Sequence, residues 1–155
     1  MREKKNSVVV DASLAVKWAT YEDDTPAAQM LLDHWIQENV TILAPDLLLY
    51  ETTNIFYKRM RKDQLMLEEA ASAFDLLMQT GLNIETITNE KLSLQALKIA
   101  QSHKLPATYD AHYLALAERE QCEFWTADER LYNSVKSQFS WVRLLSDHPY
   151  TATST

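Results

Sequence analysis

The chain has 155 residues, of which 46% are hydrophobic and 24% charged, and a formal net charge of −7. That length suits one domain able to take roughly 70% of its unfolded surface out of water. One glycine and one cysteine exclude glycine-rich phosphate loops, internal disulfides and cysteine-based zinc sites, and an acidic body requires a local basic patch or bound metal ions before it can hold a polyanion.

The opening "MREKKNSVVVD" is basic, but its apolar run from Val8 to Val10 is too short for a signal peptide or a membrane span. No other stretch approaches about 18 apolar residues, so no membrane association is expected. The lone Cys122 fits a reducing cytoplasm. "SVVVDAS" reads as a buried strand, because three β-branched residues stand in a row, with Asp11 at its end. "SLAVKWA" follows as a short helix. "TPAAQMLLDHWIQEN" is a helix with Thr25 as its cap and Pro26 in its first turn. "VTILAP" is a second strand, and "DLLLYETTNIFYKRMRK" a helix capped by Asp46. "LEEAASAFDLLMQTG" is a helix with early acids and Gly81 as its stop. "LNIETI" alternates like a strand, and "NEKLSLQALKIAQSHK" is a helix capped by Thr88 or Asn89. "YDAHYLALAERE" is the next helix, "CEFWTAD" a strand ending in Thr126 and Asp128, "ERLYNSVKS" a helix and "WVRLL" a last strand. Only the end, "HPYTATST", has the composition of a flexible tail.

Strands alternate with helices throughout, which indicates an α/β domain around a mostly parallel sheet. In such sheets, sites form beyond the C-terminal ends of the strands. Asp11 and Asp128 each follow an apolar strand. Two further acids are notable. Glu51 shares a helix face with Leu48 and Ile55, at i, i+3 and i+7, with Asn54 and Lys58 continuing a polar seam. Asp110 stands in the first turn of an otherwise apolar helix. Each acid has an ordinary reading. Asp110 can favour the positive end of its helix, a gain of about 0.3–1 kcal/mol. Asp11 and Asp128 can be helix caps, and Glu51 can pair with Lys58 or Arg59. Together they suggest a shared cleft. Converging carboxylates repel, and one takes up a proton unless a cation relieves the conflict. Mg²⁺ and Mn²⁺ prefer such oxygen ligands. The four histidines, His34, His103, His112 and His148, show no paired zinc spacing. Carboxylate-held metal with waters left over suits phosphodiester hydrolysis without a serine or cysteine nucleophile.

"VVVDASLAVKW", "APDLLLYETTNIFYK", "TYDAHYLALAE" and "FWTADERLYN" resemble, in order, the motif blocks of PIN-domain ribonucleases, most nearly the VapC-type toxins of toxin–antitoxin pairs. The resemblance runs from about residue 8 to residue 145. It implies a single three-layer α/β/α domain over residues 1–148, and the polar composition of residues 149–155 marks them as a flexible tail. By motif position it implies Asp11, Glu51, Asp110 and Asp128 as the catalytic acids that bind Mg²⁺ or Mn²⁺, with Ser13, Asn54 and Thr126 in support. It further implies cleavage of RNA, a homodimer, and a cognate antitoxin that blocks the site. Asp110 is expected to act less directly than the other acids, since a helix's positive end repels a cation.

"YKRMRK" continues the Glu51 helix, and its Lys58, Arg59, Arg61 and Lys62 form a candidate phosphate grip. The same residues also suit a solvated helix end. Lys17 and Trp18 could touch RNA, although Trp18, Trp35, Trp125 and Trp141 fit core or dimer contacts better. Packing is expected for Tyr109 and Tyr113. Two other classes compete with the nuclease reading. A non-catalytic PIN-like module that binds RNA or protein would lack one or more of the acids. A phosphate-accepting receiver domain would need an acidic pair at the first strand end, where "VVVDAS" has one acid.

Overall fold

The computed structural model describes residues 6–85 and 90–148. Five strands form one sheet: β1 (Ser7–Val10), β2 (Thr41–Pro45), β3 (Asn83–Glu85), β4 (Glu123–Thr126) and β5 (Val142–Leu144). All pairings are parallel, in the order β3-β2-β1-β4-β5. Among the described residues, seven helices connect them: α1 (Ala12–Ala19), α2 (Thr25–Gln37), α3 (Leu47–Arg61), α4 (Leu67–Met78), α5 (Glu90–His103), α6 (Tyr109–Glu120) and α7 (Glu129–Val135). No helix among the described residues is long and apolar enough to cross a membrane.

The central strand β1 is hydrophobic at every residue after Ser7 because both its faces are covered. Alternation along β4 separates the two helical layers. Phe124 stacks on Tyr113 of α6, while Trp125 meets Trp35 of α2 edge-on. α5 packs on α6, and α6 lies against β1, β2 and β4. On the other side α1 contacts α2 and α4. Trp18 is in the core, as expected, and its indole N–H donates to the Ala28 carbonyl at 2.8 Å. The result is the expected three-layer α/β/α domain.

Chain order and strand order explain where a site can form. From β1 the chain moves outward through β2 and β3, then returns to the opposite side of β1 to add β4 and β5. The order therefore reverses between β1 and β4, and connections leaving these two strands diverge to open a crevice at their C-terminal ends. Val10 pairs with Trp125, which brings Asp11 level with Thr126 at the mouth of that crevice.

Several helix ends differ from the expectations. Asp46 does not cap α3: its backbone is already helical, and its side chain accepts no capping hydrogen bond. Thr25 is the first residue of α2 rather than its cap. Its hydroxyl closes the preceding loop instead, accepting from Glu22 N–H at 2.8 Å and donating to the Thr20 carbonyl at 3.1 Å. With only one glycine, at φ +84°, the chain uses Asn39, Asp63, Lys104 and Gln121 in the left-handed conformation just past four helices. Those stops carry no glycine signal. The expected caps Thr88 and Asn89 and the tail 149–155 lie outside the described residues.

Candidate functional site

Asp11 is the first residue past β1, and its position reflects two competing demands. It caps α1, with one carboxylate oxygen accepting from Leu14 N–H at 3.2 Å. It is also only 5% exposed, which penalises its charge. Hydroxyl groups provide partial compensation. Ser13 donates to Asp11 Oδ1 at 2.6 Å, and Thr126 donates to Asp11 Oδ2 at 2.5 Å. These bonds lower the pKa, yet burial wins: the Asp11 carboxyl is pushed up to about 7.

Thr126 and Ser13 also link Asp11 to the next acid. Thr126 is fully buried at the end of β4, and its Oγ1 accepts the Asp128 backbone N–H at 3.0 Å. Ser13 Oγ accepts the Ala127 N–H at 3.0 Å and lies 3.2 Å from Thr126 Oγ1. The loops after β1 and β4 are thus pinned to each other by two hydroxyl groups, across more than 110 residues of chain. Asp128 caps α7, with its side chain accepting from Leu131 N–H at 3.2 Å. The expectation that Asp11 and Asp128 cap helices is therefore met at both. Capping does not exclude a shared role, because a carboxylate has lone pairs left after it.

Asp110 lies in the first turn of α6, as expected. Its carboxyl is pushed up to about 6, first by burial and then by the charges of Glu51 and Asp128. The Asp110 charge in turn raises Asp11. Asp110 is therefore near all three other acids, and carboxylates from the caps of α1 and α7 and from α3 and α6 act on one another through it. Glu51 is half-buried on α3 and accepts the Tyr113 hydroxyl at 2.5 Å. It does not pair with Lys58 or Arg59. None of the four acids takes part in an ion pair among the described residues.

This donor set fits a hard divalent cation in its chemistry: oxygen ligands only, mutual repulsion, and no lysine or arginine paired to relieve it. Among the described residues, no group of three or more His, Cys, Asp or Glu side chains is already gathered at metal-ligand spacing. His112 serves its own helix, with Nδ1 2.7 Å from the Thr108 carbonyl. Asn54 is exposed on α3 and makes no hydrogen bond to the acids.

The basic candidates divide into two groups. Arg59 is occupied by the loop before α2: it pairs with Glu22 at 3.3 Å and donates to the Thr20 hydroxyl at 2.7 Å. Lys17 is occupied there too, by Asp24 at 2.8 Å and Glu22 at 3.5 Å. Lys58, Arg61 and Lys62 are exposed at the end of α3. Tyr109 departs from expectation: it is 59% exposed beside Asp110, not packed. Tyr113 is fully buried, as expected, but its contact with Glu51 was not legible in the sequence. The available signal was its position one turn beyond Asp110 on the same helix face.

A cavity of about 530 Å³ lies at the other end of the sheet, between the starts of β1 and β4. Two of its carboxylates already have partners, Glu118 with Gln95 and Glu123 with Arg143. None of the four acids lines it.

A parallel five-stranded α/β domain, with four interacting carboxylates at its topological switch point, is the class these observations define. Residues 8–136 match the PIN domain family, and the chain belongs to that family. Among solved structures, the fold is similar to PAE2754 from Pyrobaculum aerophilum, with 23% identity, 83% of this chain and 78% of that one covered, and a TM-score of 0.60. It is also similar to VapC20 of Mycobacterium tuberculosis, a sarcin–ricin-loop-cleaving toxin, with 17% identity, 85% and 95% covered, and a TM-score of 0.62. A toxin–antitoxin complex from Klebsiella pneumoniae matches with 17% identity, 89% and 97% covered, and a TM-score of 0.60. No curated protein gives a significant match.

Proposed function

We propose that the protein is a metal-dependent endoribonuclease that hydrolyses RNA phosphodiester bonds and acts as the toxin of a type II toxin–antitoxin pair. The observation that carries the chemistry is the repulsion between Asp110 and each of Asp11, Glu51 and Asp128, with no lysine or arginine paired to any of the four among the described residues. The toxin role draws support from family membership and from the fold's likeness to VapC20 and to the Klebsiella complex.

In this reading Asp11, Glu51, Asp110 and Asp128 hold Mg²⁺ or Mn²⁺. Such an ion, when bound, makes hydroxide available near neutral pH and stabilises charge on the leaving oxygen. Ser13 and Thr126 hold the Asp11 carboxylate in one orientation and lock the β4 loop against it. Their hydroxyl groups compensate part of the cost of the buried charge without adding a competing cation. Asp110 would contribute to holding the ion less directly, because it stands at a helix N-terminus whose positive end repels a cation. Lys58, Arg61 and Lys62 supply positive charge for the RNA backbone on a protein that is otherwise acidic. An antitoxin that covers the acids, and a second copy of the chain, complete the proposed assembly.

The test is incubation of the purified, antitoxin-free protein with total RNA and Mn²⁺. Discrete cleavage products that disappear on chelation support the reading. Folded protein that cuts no RNA at any metal concentration overturns it. The charge grip has its own test. Changing Lys58, Arg61 and Lys62 together to Gln should weaken binding to single-stranded RNA and make the plot of log K against log salt shallower by about 2, since each phosphate neutralised on a single strand adds about 0.7 to that slope. Arg59→Gln should have a smaller effect on that slope, because Glu22 already engages Arg59.

A further inference from the structure

Tyr113 lies beneath the acids and has a hydroxyl that packing does not require. It stands on α6 one turn beyond Asp110, on the same helix face. Its ring is 0% exposed and stacks on Phe124 of β4, with centroids 6.0 Å apart and 29° between planes. A phenylalanine would fill that space without bringing in a polar atom. The hydroxyl crosses to α3 and donates its one proton to Glu51 Oε1 at 2.5 Å. Glu51 Oε2 accepts no hydrogen bond among the described residues. Burial, and then the neighbouring Glu51 charge, push the phenol far above its ordinary value, so it remains a donor at any working pH.

The choice of partner matters for a carboxylate meant to take a cation. Lysine or arginine would orient Glu51 but neutralise it, and would repel an incoming metal ion. A neutral phenol orients the carboxylate and leaves its full charge in place. Glu51 needs such a tie, because a half-buried glutamate on a helix has several rotatable bonds and a route to solvent.

We propose that Tyr113 is a positioning residue, whose hydroxyl fixes Glu51 Oε1 and so holds the α3 carboxylate beside Asp110. The inference rests on reading the four acids as a metal site.

Mn²⁺ titration of the full chain, followed by calorimetry or by the electron paramagnetic resonance of free Mn²⁺, tests both levels. Tyr113→Phe should weaken Mn²⁺ binding roughly 10–100-fold, the usual cost of losing a group that orients a metal ligand. The melting temperature of the metal-free protein should change little. For RNA cleavage, kcat should fall while KM stays within about twofold. In a Glu51→Gln background, the same change should cause no further loss of Mn²⁺ affinity, because the hydroxyl acts only through Glu51. Wild-type affinity in Tyr113→Phe, an equal further loss in the Glu51→Gln background, or a variant that does not fold would each overturn the assignment of Tyr113. Wild-type protein that binds no Mn²⁺ would overturn the metal-site reading itself, and this inference with it.

Discussion

Asp11→Asn should reduce Mn²⁺-dependent RNA cleavage at least about 100-fold, since losing a ligand costs no less than losing the groups that orient one. The same variant should be more stable than the wild type in the absence of metal above neutral pH. Asparagine fits the existing network. Its amide oxygen can accept from Ser13, and its NH₂ can donate to Thr126 Oγ1, because a hydroxyl can reverse its role. What disappears is a buried charge with no cationic partner. Opposite changes in activity and stability would separate a functional acid from a structural one: asparagine caps a helix as well as aspartate does, so a carboxylate needed only to cap α1 would lose neither activity nor stability on this substitution. Cleavage of a fluorogenic RNA and thermal melting at pH 8 read the two effects.

The second large effect is the pH dependence of stability. Asp11 and Asp110 have folded-state pKa values near 7 and 6, against 3.8 for the ordinary side chain. A raised carboxyl holds its proton more tightly in the folded protein than in the unfolded chain. Stability therefore falls as pH rises from about 4, and the loss is complete once pH exceeds the folded values. Between pH 5 and pH 8 the metal-free protein should lose on the order of 10 °C in melting temperature. Asp11→Asn should flatten that slope, leaving only the smaller share from Asp110. Mn²⁺ should oppose it, because an ion that binds only the folded state adds about 2.7 kcal/mol at a hundred times its dissociation constant. Melting temperatures across pH 5–8, with chelator and with Mn²⁺, check both signs. A metal-free protein equally stable at both ends of the range would contradict the burial of Asp11.

Pairing within the site explains how one residue can serve two purposes. Asp11 and Asp128 each cap a helix and also interact with the Asp110 charge. Capping holds each carboxylate against its own backbone, which reduces the conformational freedom to be lost on binding an ion. The strand-end acids are therefore oriented by their own helices. Glu51 sits in mid-helix without that constraint, and Tyr113 supplies it from another element.

The amino-acid sequence by itself determined the alternation of strands and helices, and so the α/β class. Runs such as Val8–Val10, and the 3.6-residue periodicity of the helices, are local signals that need no knowledge of contacts. It also marked Asp11, Asp110 and Asp128 by their places at strand ends or helix starts, and Glu51 by its place on an apolar helix face. Helix ends were less legible, since Asn39, Asp63, Lys104 and Gln121 take the left-handed turns where glycine would be the signal. Only the tertiary structure decided which side chains meet. The reversal of strand order between β1 and β4 brings Ser13 to Thr126 across 113 residues, and the packing of α6 brings Tyr113 to Glu51 across 62. It also gave Arg59 to Glu22 rather than to the open basic patch. Contacts of that range depend on how layers stack, and residue spacing along a chain carries no record of it.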